Sequence, residues 1–295
     1  MQPVIDSHFH IWRRADLPWL SGPMVPRIFG PYEPIRRDYA ISEYLSDLQG
    51  LGVAKAVYVQ TNWAKEDFEK EVAWVSETAE ETGWPQAIVG YADMTVEDVR
   101  PQLDRLKAYP LVRGVRMQLH WHEVPEYRFA PGPDQVIDPA VRRSVARLKD
   151  YGFCFDLQLF PAQMKAGAEF VAENPETDFI LTHCGMLVDD RPETVDAWKD
   201  GLAHFAPLPN LHAKLSGLGT FMHRNDPDLI ALVVDTAIDI LGSERLMFGS
   251  NFPIEKLWTD YASVLSAHRA AAERHGEKAV ADIMHDTAAR IYRPA

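Results

Sequence analysis

The chain has 295 residues, 46% of them hydrophobic, with 30 lysines and arginines against 43 aspartates and glutamates and a formal net charge of −13. That length can bury a sizeable core, and the acidic balance argues against nucleic acid or an anionic membrane surface as partner, because both select a basic face. No apolar run reaches the length of a membrane span, and the N-terminus shows no cleavable leader. The two cysteines, Cys154 and Cys184, sit inside apolar runs and read as buried free thiols, so the expectation is a soluble, cytoplasmic protein.

Residues 4–12, Val-Ile-Asp-Ser-His-Phe-His-Ile-Trp, read as a buried strand. Alternation puts Asp6, His8 and His10 on one face. Two imidazoles two residues apart converge on one point, which suits a metal ion or a proton-transfer pair. The same pair also occurs as inert, hydrogen-bonded histidines at a strand end. Residues 13–37 then carry Pro18, Pro23, Pro26, Pro31 and Pro34, which forbid a helix and disfavour an internal strand. Trp19, Phe29 and Tyr32 argue for order, so the expectation is a Pro-rich loop folded over one end of the domain.

From residue 41 the chain is rhythmic. Helical spacing over 41–51, with Ser42 as a cap and Gly52 at the end, is followed by a strand over 55–62. Helices over 67–82, 96–108, 139–151, 161–173, 192–205 and 227–241 alternate with strands over 86–94, 112–119, 154–160, 178–184, 211–217 and 245–251. Helices over 260–275 and 278–292 close the chain. Strict alternation implies a parallel sheet with helices outside it. About eight such units in this length predict an α/β protein with a (β/α)8 TIM barrel, as one domain over residues 1–295. An open doubly wound sheet is the alternative, but no strand is followed by Gly-x-Gly-x-x-Gly and there is no P-loop.

In such a barrel the site lies at the C-terminal ends of the strands. Alternation aims Gln60 and Asn62, Asp93, Arg116 and Gln118, Asp156 and Gln158, His183, Lys214 and Ser216, and Asn251 toward that rim. Any one of these could cap a loop, and Arg116 or Lys214 could serve a salt bridge. Polar ends on all strands together point to a ligand, because buried polar groups cost free energy unless paired. Cys184 reads as filler, His212 as packing near the barrel floor, and His120 and His122 as surface loop residues. Trp12, Trp19, Trp63 and Trp121 could form an aromatic wall or merely pack the loops.

Ile5-Asp6-Ser7-His8-Phe9-His10-Ile11-Trp12, Leu17-Pro18-Trp19-Leu20, Thr182-His183-Cys184-Gly185, Lys214-Leu215-Ser216-Gly217 and Phe248-Gly249-Ser250-Asn251-Phe252-Pro253 follow one another along the chain. This set resembles the amidohydrolase-2 family of metal-dependent TIM-barrel hydrolases, and within it the lactonase branch of sugar-acid and 2-pyrone-4,6-dicarboxylate lactonases. The resemblance implies a metal pair at His8 and His10, a later-strand histidine at His183, and a substrate-binding Arg116. Where that family usually carries Gly-Ser-Asp on strand eight, this chain has Asn251. The resemblance gives the aspartate the role of general base, which an amide cannot fill.

Two mechanisms follow for opening a small lactone or related cyclic ester of a carboxylated or sugar-acid substrate. In the first, His8, His10 and His183 hold a divalent metal, Zn2+, that activates water. Asn251 then orients the water or the developing oxyanion. Gln60, Arg116, Gln118, Lys214 and Trp19 hold the substrate. In the second, metal-free reading, the histidines polarise the carbonyl and Asp156 or Asp93 is the base. Decarboxylation, hydrolysis of a small amide, and a barrel that binds without turnover are the alternatives. A homo-oligomer is compatible with all of them.

Overall fold

The computed structural model describes residues 3–295. Eight strands pair in parallel in chain order: β1 (Val4–Phe9), β2 (Val53–Val59), β3 (Ala87–Gly90), β4 (Val112–Val115), β5 (Cys154–Leu157), β6 (Phe179–Leu181), β7 (Leu211–Leu215) and β8 (Leu246–Phe248). The sheet curls until its last strand meets its first. The Asn251 N–H donates to the His8 carbonyl at 2.7 Å, and the His10 N–H to the Phe252 carbonyl at 2.8 Å. Gly249 permits this approach, since a Cβ there would lie 2.7 Å from the Cβ of His8. The architecture is the (β/α)8 barrel that the alternation implied.

Six strands are buried along their whole length, and β3, β6 and β8 are apolar throughout, as strands covered on both faces tend to be. Ile5, Val57, Val59, Ala87, Val89, Ile180 and Met247 form an inner cluster with Ala288, Ile291 and Tyr292 of the last helix, Thr287–Tyr292. That helix plugs the end where the strands begin. The segment after it donates Ala295 N–H to Gln86 and accepts from Lys55 and Arg113, each beside a strand start. The remaining core lies between the sheet and the outer helices.

Helix Pro227–Leu241 matches its expected span. Asp226 accepts from the Asp228 and Leu229 N–H groups, and Pro227 stands where no N–H is required. Other spans are corrected. The helix from residue 41 stops at Asp47, and Ser42 lies inside it without capping. The expected helix over 139–151 divides into Pro139–Val145 and Leu148–Tyr151, and the one over 278–292 contains a π turn at Asp282–Asp286.

The strands also end earlier than expected: β4 at Val115, β5 at Leu157, β8 at Phe248. Their polar tails lie past the last ladder pair, on backbone that turns. Asn62, His183 and Asn251 each have positive φ, at 63°, 54° and 56°, a conformation that non-glycine residues adopt at a cost. Within residues 13–37 lie three short helical turns, and an antiparallel bridge between Trp12 and Tyr39 ties the ends of that segment. Among the described residues, no helix is long and apolar enough to cross a membrane. Both cysteines are buried and free.

Candidate active site

β1 does not keep the alternation expected of it. Its pairing with β2 shifts register between Asp6 and Phe9, and a register shift lets neighbouring polar residues face different ways. Asp6 turns toward the helices. It accepts from the Ser250 N–H (2.8 Å) and hydroxyl (2.6 Å), from Tyr44 and Tyr261 (2.9 Å each), and from the His8 N–H (3.1 Å). Asp6 therefore does not share a face with His8 and His10, as expected; it staples β1 to the segment after β8.

His8 and His10 do come together with His183. The ring centroids of His8 lie 5.0 Å from His10 and 4.9 Å from His183. His10 Nδ1–H donates to the Val59 carbonyl at 2.7 Å, and His183 Nδ1–H to the Ser216 carbonyl at 3.1 Å, with the Ser216 hydroxyl at 2.9 Å. These bonds fix tautomers that leave each Nε2 bare. Gly217, at φ +62°, makes room, since its Cβ would lie 2.6 Å from His183 Nδ1. Both ring nitrogens of His8 are buried without a hydrogen-bond partner. Burial holds all three imidazoles neutral. Lys214 adds to the effect on His8, and Arg116 helps bring His10 down to about 3.

Neutral imidazoles, two of them oriented by backbone carbonyls and the third without any partner, are the donor chemistry a divalent ion needs. Among the described residues, no three His, Cys, Asp or Glu side chains are gathered at metal-ligand distance. The donors fit such an ion in kind, and their spacing is looser than coordination.

Asn251 is buried above His8, and its side chain meets His10. Its Nδ2 lies 3.4 Å from Oε1 of Glu255, a residue the sequence reading passed over. Thr220 donates to the same oxygen at 3.2 Å and Trp258 to Oε2 at 2.8 Å. Burial raises the Glu255 carboxyl to about 7 against these three hydrogen bonds.

Above the imidazoles, at the strand ends, opens a cleft. His10, His183, Asn251, Gln60, Arg116, Gln118 and Trp19 line it, as expected of a rim site. Trp12, Arg27, Phe29, Asn62, Arg128 and Gln158 line it too. Several of these polar groups lack partners: Gln60 Nε2, Arg116 Nε, Gln118 Oε1 and Gln158 Oε1. Burial lowers Arg116 to about 10, so it stays cationic. One of its Nη2 protons goes to the Gln60 carbonyl at 2.6 Å.

Other expectations are corrected. Asp156 and Lys214 do not line the cleft. They are fully buried and pair with each other at 2.6 Å, while Tyr292 donates to the second Asp156 oxygen at 2.7 Å. Each is the last residue but one of its strand, and their contact with Tyr292 turns them to the plugged interior. Asp93 is outside the cleft, accepting from Thr95 and facing Lys65. His120 is not a surface residue: it is buried, lines the cleft, and is lowered to about 3 by burial and Arg116. Trp63 packs on Trp74, and Trp121 lies under Arg128, so the aromatic wall reduces to Trp12 and Trp19.

A parallel barrel with a polar, histidine-lined cleft at its strand ends is the arrangement of a barrel enzyme. A family model described as Amidohydrolase (Amidohydro_2) matches residues 5–293. The chain belongs to the Amidohydrolase family and is a hydrolase. A protein of Sinorhizobium fredii described as uncharacterized protein y4mH is 32% identical over 292 residues, 98% of each chain. An L-fucono-1,5-lactonase of Burkholderia multivorans is 30% identical over 303 residues, 98% of this chain and 95% of that one. The crystal structure of a Burkholderia multivorans amidohydrolase with bound zinc is 28% identical and superposes with a TM-score of 0.82 over 99% of this chain and 100% of that one.

Proposed function

We propose that this hydrolase opens a sugar-acid lactone, at the cleft above His8, His10 and His183. The observation that carries the reading is the mixed set of unpaired groups in that cleft. Gln60 Nε2 and Arg116 Nε can only donate, whereas Gln118 Oε1 and Gln158 Oε1 can only accept. A polyhydroxylated ring offers both donors and acceptors. An ionised flat dicarboxylate offers acceptors alone and would require both glutamine amides to turn over, Gln158 giving up its Nε2 contact with Met186 Sδ. The likeness to an L-fucono-1,5-lactonase supports the same substrate class.

Arg116 supplies charge-assisted hydrogen bonds to the lactone oxygens, where negative charge develops as the carbonyl is attacked. Trp19 is held by its Nε1–H bond to the Thr61 carbonyl at 2.9 Å and offers an apolar face to the ring. Asn251 orients the attacking water through its amide. His8, His10 and His183 would hold a divalent ion, which when bound supplies a lowered water pKa and a Lewis acid. The zinc-containing relative supports that assignment.

The test offers purified protein L-fucono-1,5-lactone and a panel of other sugar 1,5-lactones, with a pH indicator reading the proton released on ring opening. Turnover above spontaneous hydrolysis is expected. No turnover on the panel by either zinc-supplemented or chelator-treated protein would overturn the proposal, and CO2 release from a carboxylated aromatic acid would assign a decarboxylase instead.

A further inference from the structure

The chain lacks an acid at position 251, yet a buried acid stands one helical turn further on. Glu255 contacts two residues of the cleft wall, Asn251 and Thr220, without lining the cleft itself. Its place is tightly shaped. A Cβ on Gly219 would lie 2.8 Å from Glu255 Oε2 and 2.7 Å from Trp258 Nε1. All three of its side-chain partners donate to it: Trp258 Nε1–H, the Thr220 hydroxyl and the Asn251 amide.

We propose that Glu255 is a positioning residue for Asn251, its ionised carboxylate holding the amide nitrogen outward so that Oδ1 faces the cleft. This inference rests on the lactonase reading for the reaction it serves, though not for its geometry. An amide is two-faced: turned over, it would present a donor where it now presents an acceptor. Of the two side chains that meet the amide, Glu255 and His10, only the Glu255 carboxyl changes charge near neutral pH, and its acceptor Oε1 draws the nitrogen. Once Oε1 carries a proton, that O–H needs an acceptor, and a reversed Thr220 hydroxyl or a flipped Asn251 amide supplies one. Protonation therefore releases the orientation that ionisation imposes.

The surroundings make Glu255 the group that switches. No lysine or arginine pairs with it among the described residues, and its shift comes from burial against the three hydrogen bonds. On the loop after β7, Arg224 turns to Asp190 and Asp226, and His223 lies tilted against Trp258, 5.8 Å between centroids, with no bond to Glu255 or Asn251. On the β1 side, His10 meets Asn251 but stays neutral down to about pH 3. Between pH 5 and 9 the carboxyl is the titrating neighbour of the amide.

The experiment follows the Asn251 side-chain NH2 resonances by nitrogen-15 NMR from pH 5 to 9, assigned by their loss in Asn251→Asp. In the wild type they are expected to titrate with a midpoint near the Glu255 value of about 7. In Glu255→Gln they should be flat. In Thr220→Val, which removes a bond that favours the ionised form, the midpoint should rise. The pH profile of lactone turnover should show an acidic limb with the same midpoint, lost in Glu255→Gln with kcat lowered about tenfold or more and KM moved less. A flat wild-type titration, or a midpoint unmoved in both variants, overturns the inference. Should Glu255→Gln fail to fold, Thr220→Val decides alone. A wild type inert on lactones counts against the proposed reaction only, because the amide titration needs no substrate.

Discussion

Lys214 Nζ lies 2.6 Å from Asp156 Oδ2, with neither side chain exposed. The pair joins β5 to β7 beneath the imidazoles, and Tyr292 adds the C-terminal helix to it through the other carboxylate oxygen. Asp156 has both oxygens committed and does not line the cleft, so its expected effect is on stability. Removing one partner of a buried ion pair leaves an uncompensated charge and costs about 3–5 kcal/mol. Asp156→Asn and Lys214→Met should each lose that much in urea unfolding, and Tyr292→Phe about 1 kcal/mol. The double change Asp156→Leu with Lys214→Met should recover part of the loss. A stable Asp156→Asn protein with abolished turnover would instead return the residue to acid–base chemistry.

His8 stands in the opposite situation, buried with two unpaired ring nitrogens. An unpaired buried polar atom costs about 1–3 kcal/mol, so His8→Leu should leave stability unchanged or raise it while removing turnover. Zinc added to chelator-treated wild type should raise its melting temperature, by the equivalent of about 2.7 kcal/mol at a hundredfold excess over Kd. His8→Leu should lose that response, as should His10→Leu and His183→Leu. A wild type whose melting curve ignores zinc would remove the metal from the proposed mechanism.

The barrel was legible because parallel strands covered on both faces leave continuous apolar runs, and because Gly83 and Pro227 mark helix ends locally. His10, His183, Arg116 and Asn251 could be placed at the rim because each stands just past the end of a strand, whereas His8 lies within β1 below the cleft lining. What alternation could not give was direction within a strand once its register slips, hence Asp6. Nor could it give depth along the barrel axis, hence Asp156 and Lys214, which sit below residues two positions further on. Glu255 was hidden for a different reason. It lies two residues past the motif on a helical turn, and only burial by Trp258, Thr220 and the Gly219 backbone makes it chemically special. Its one sequence signal was the i, i+4 spacing from Asn251.

Arg116 has an unpaired Nε and stays cationic in the cleft. A hydrogen bond from a charged donor is worth about 1.5–3 kcal/mol. Arg116→Met should therefore lower kcat/KM on the accepted lactone by about ten- to hundredfold. Arg116→Lys should restore little, since an ammonium cannot serve the Gln60 carbonyl and a substrate oxygen with one planar fork. Steady-state kinetics of the two variants decide this. Equal activity of Arg116→Lys and wild type would mean that a point charge, not the fork, does the binding.

Glu255 gives the stability of the protein a pH signature. Its carboxyl is raised from 4.5 to about 7 in the folded state, so the native protein holds a proton there that the unfolded chain releases. The native state binds more protons across that window, and stability falls as pH rises through it. Below pH 4.5 the contribution is fully present; above pH 7 it is gone. A glutamine cannot ionise, so Glu255→Gln escapes this loss. The unfolding free energy of the variant relative to wild type should climb between pH 5 and pH 8 by on the order of 3 kcal/mol, because each tenfold change in proton affinity is about 1.4 kcal/mol. The constant part of the difference, from altered hydrogen bonds to Thr220 and Trp258, does not affect this slope. Urea unfolding of both proteins at several pH values measures it, and parallel curves would mean that Glu255 ionises as an ordinary surface carboxylate does.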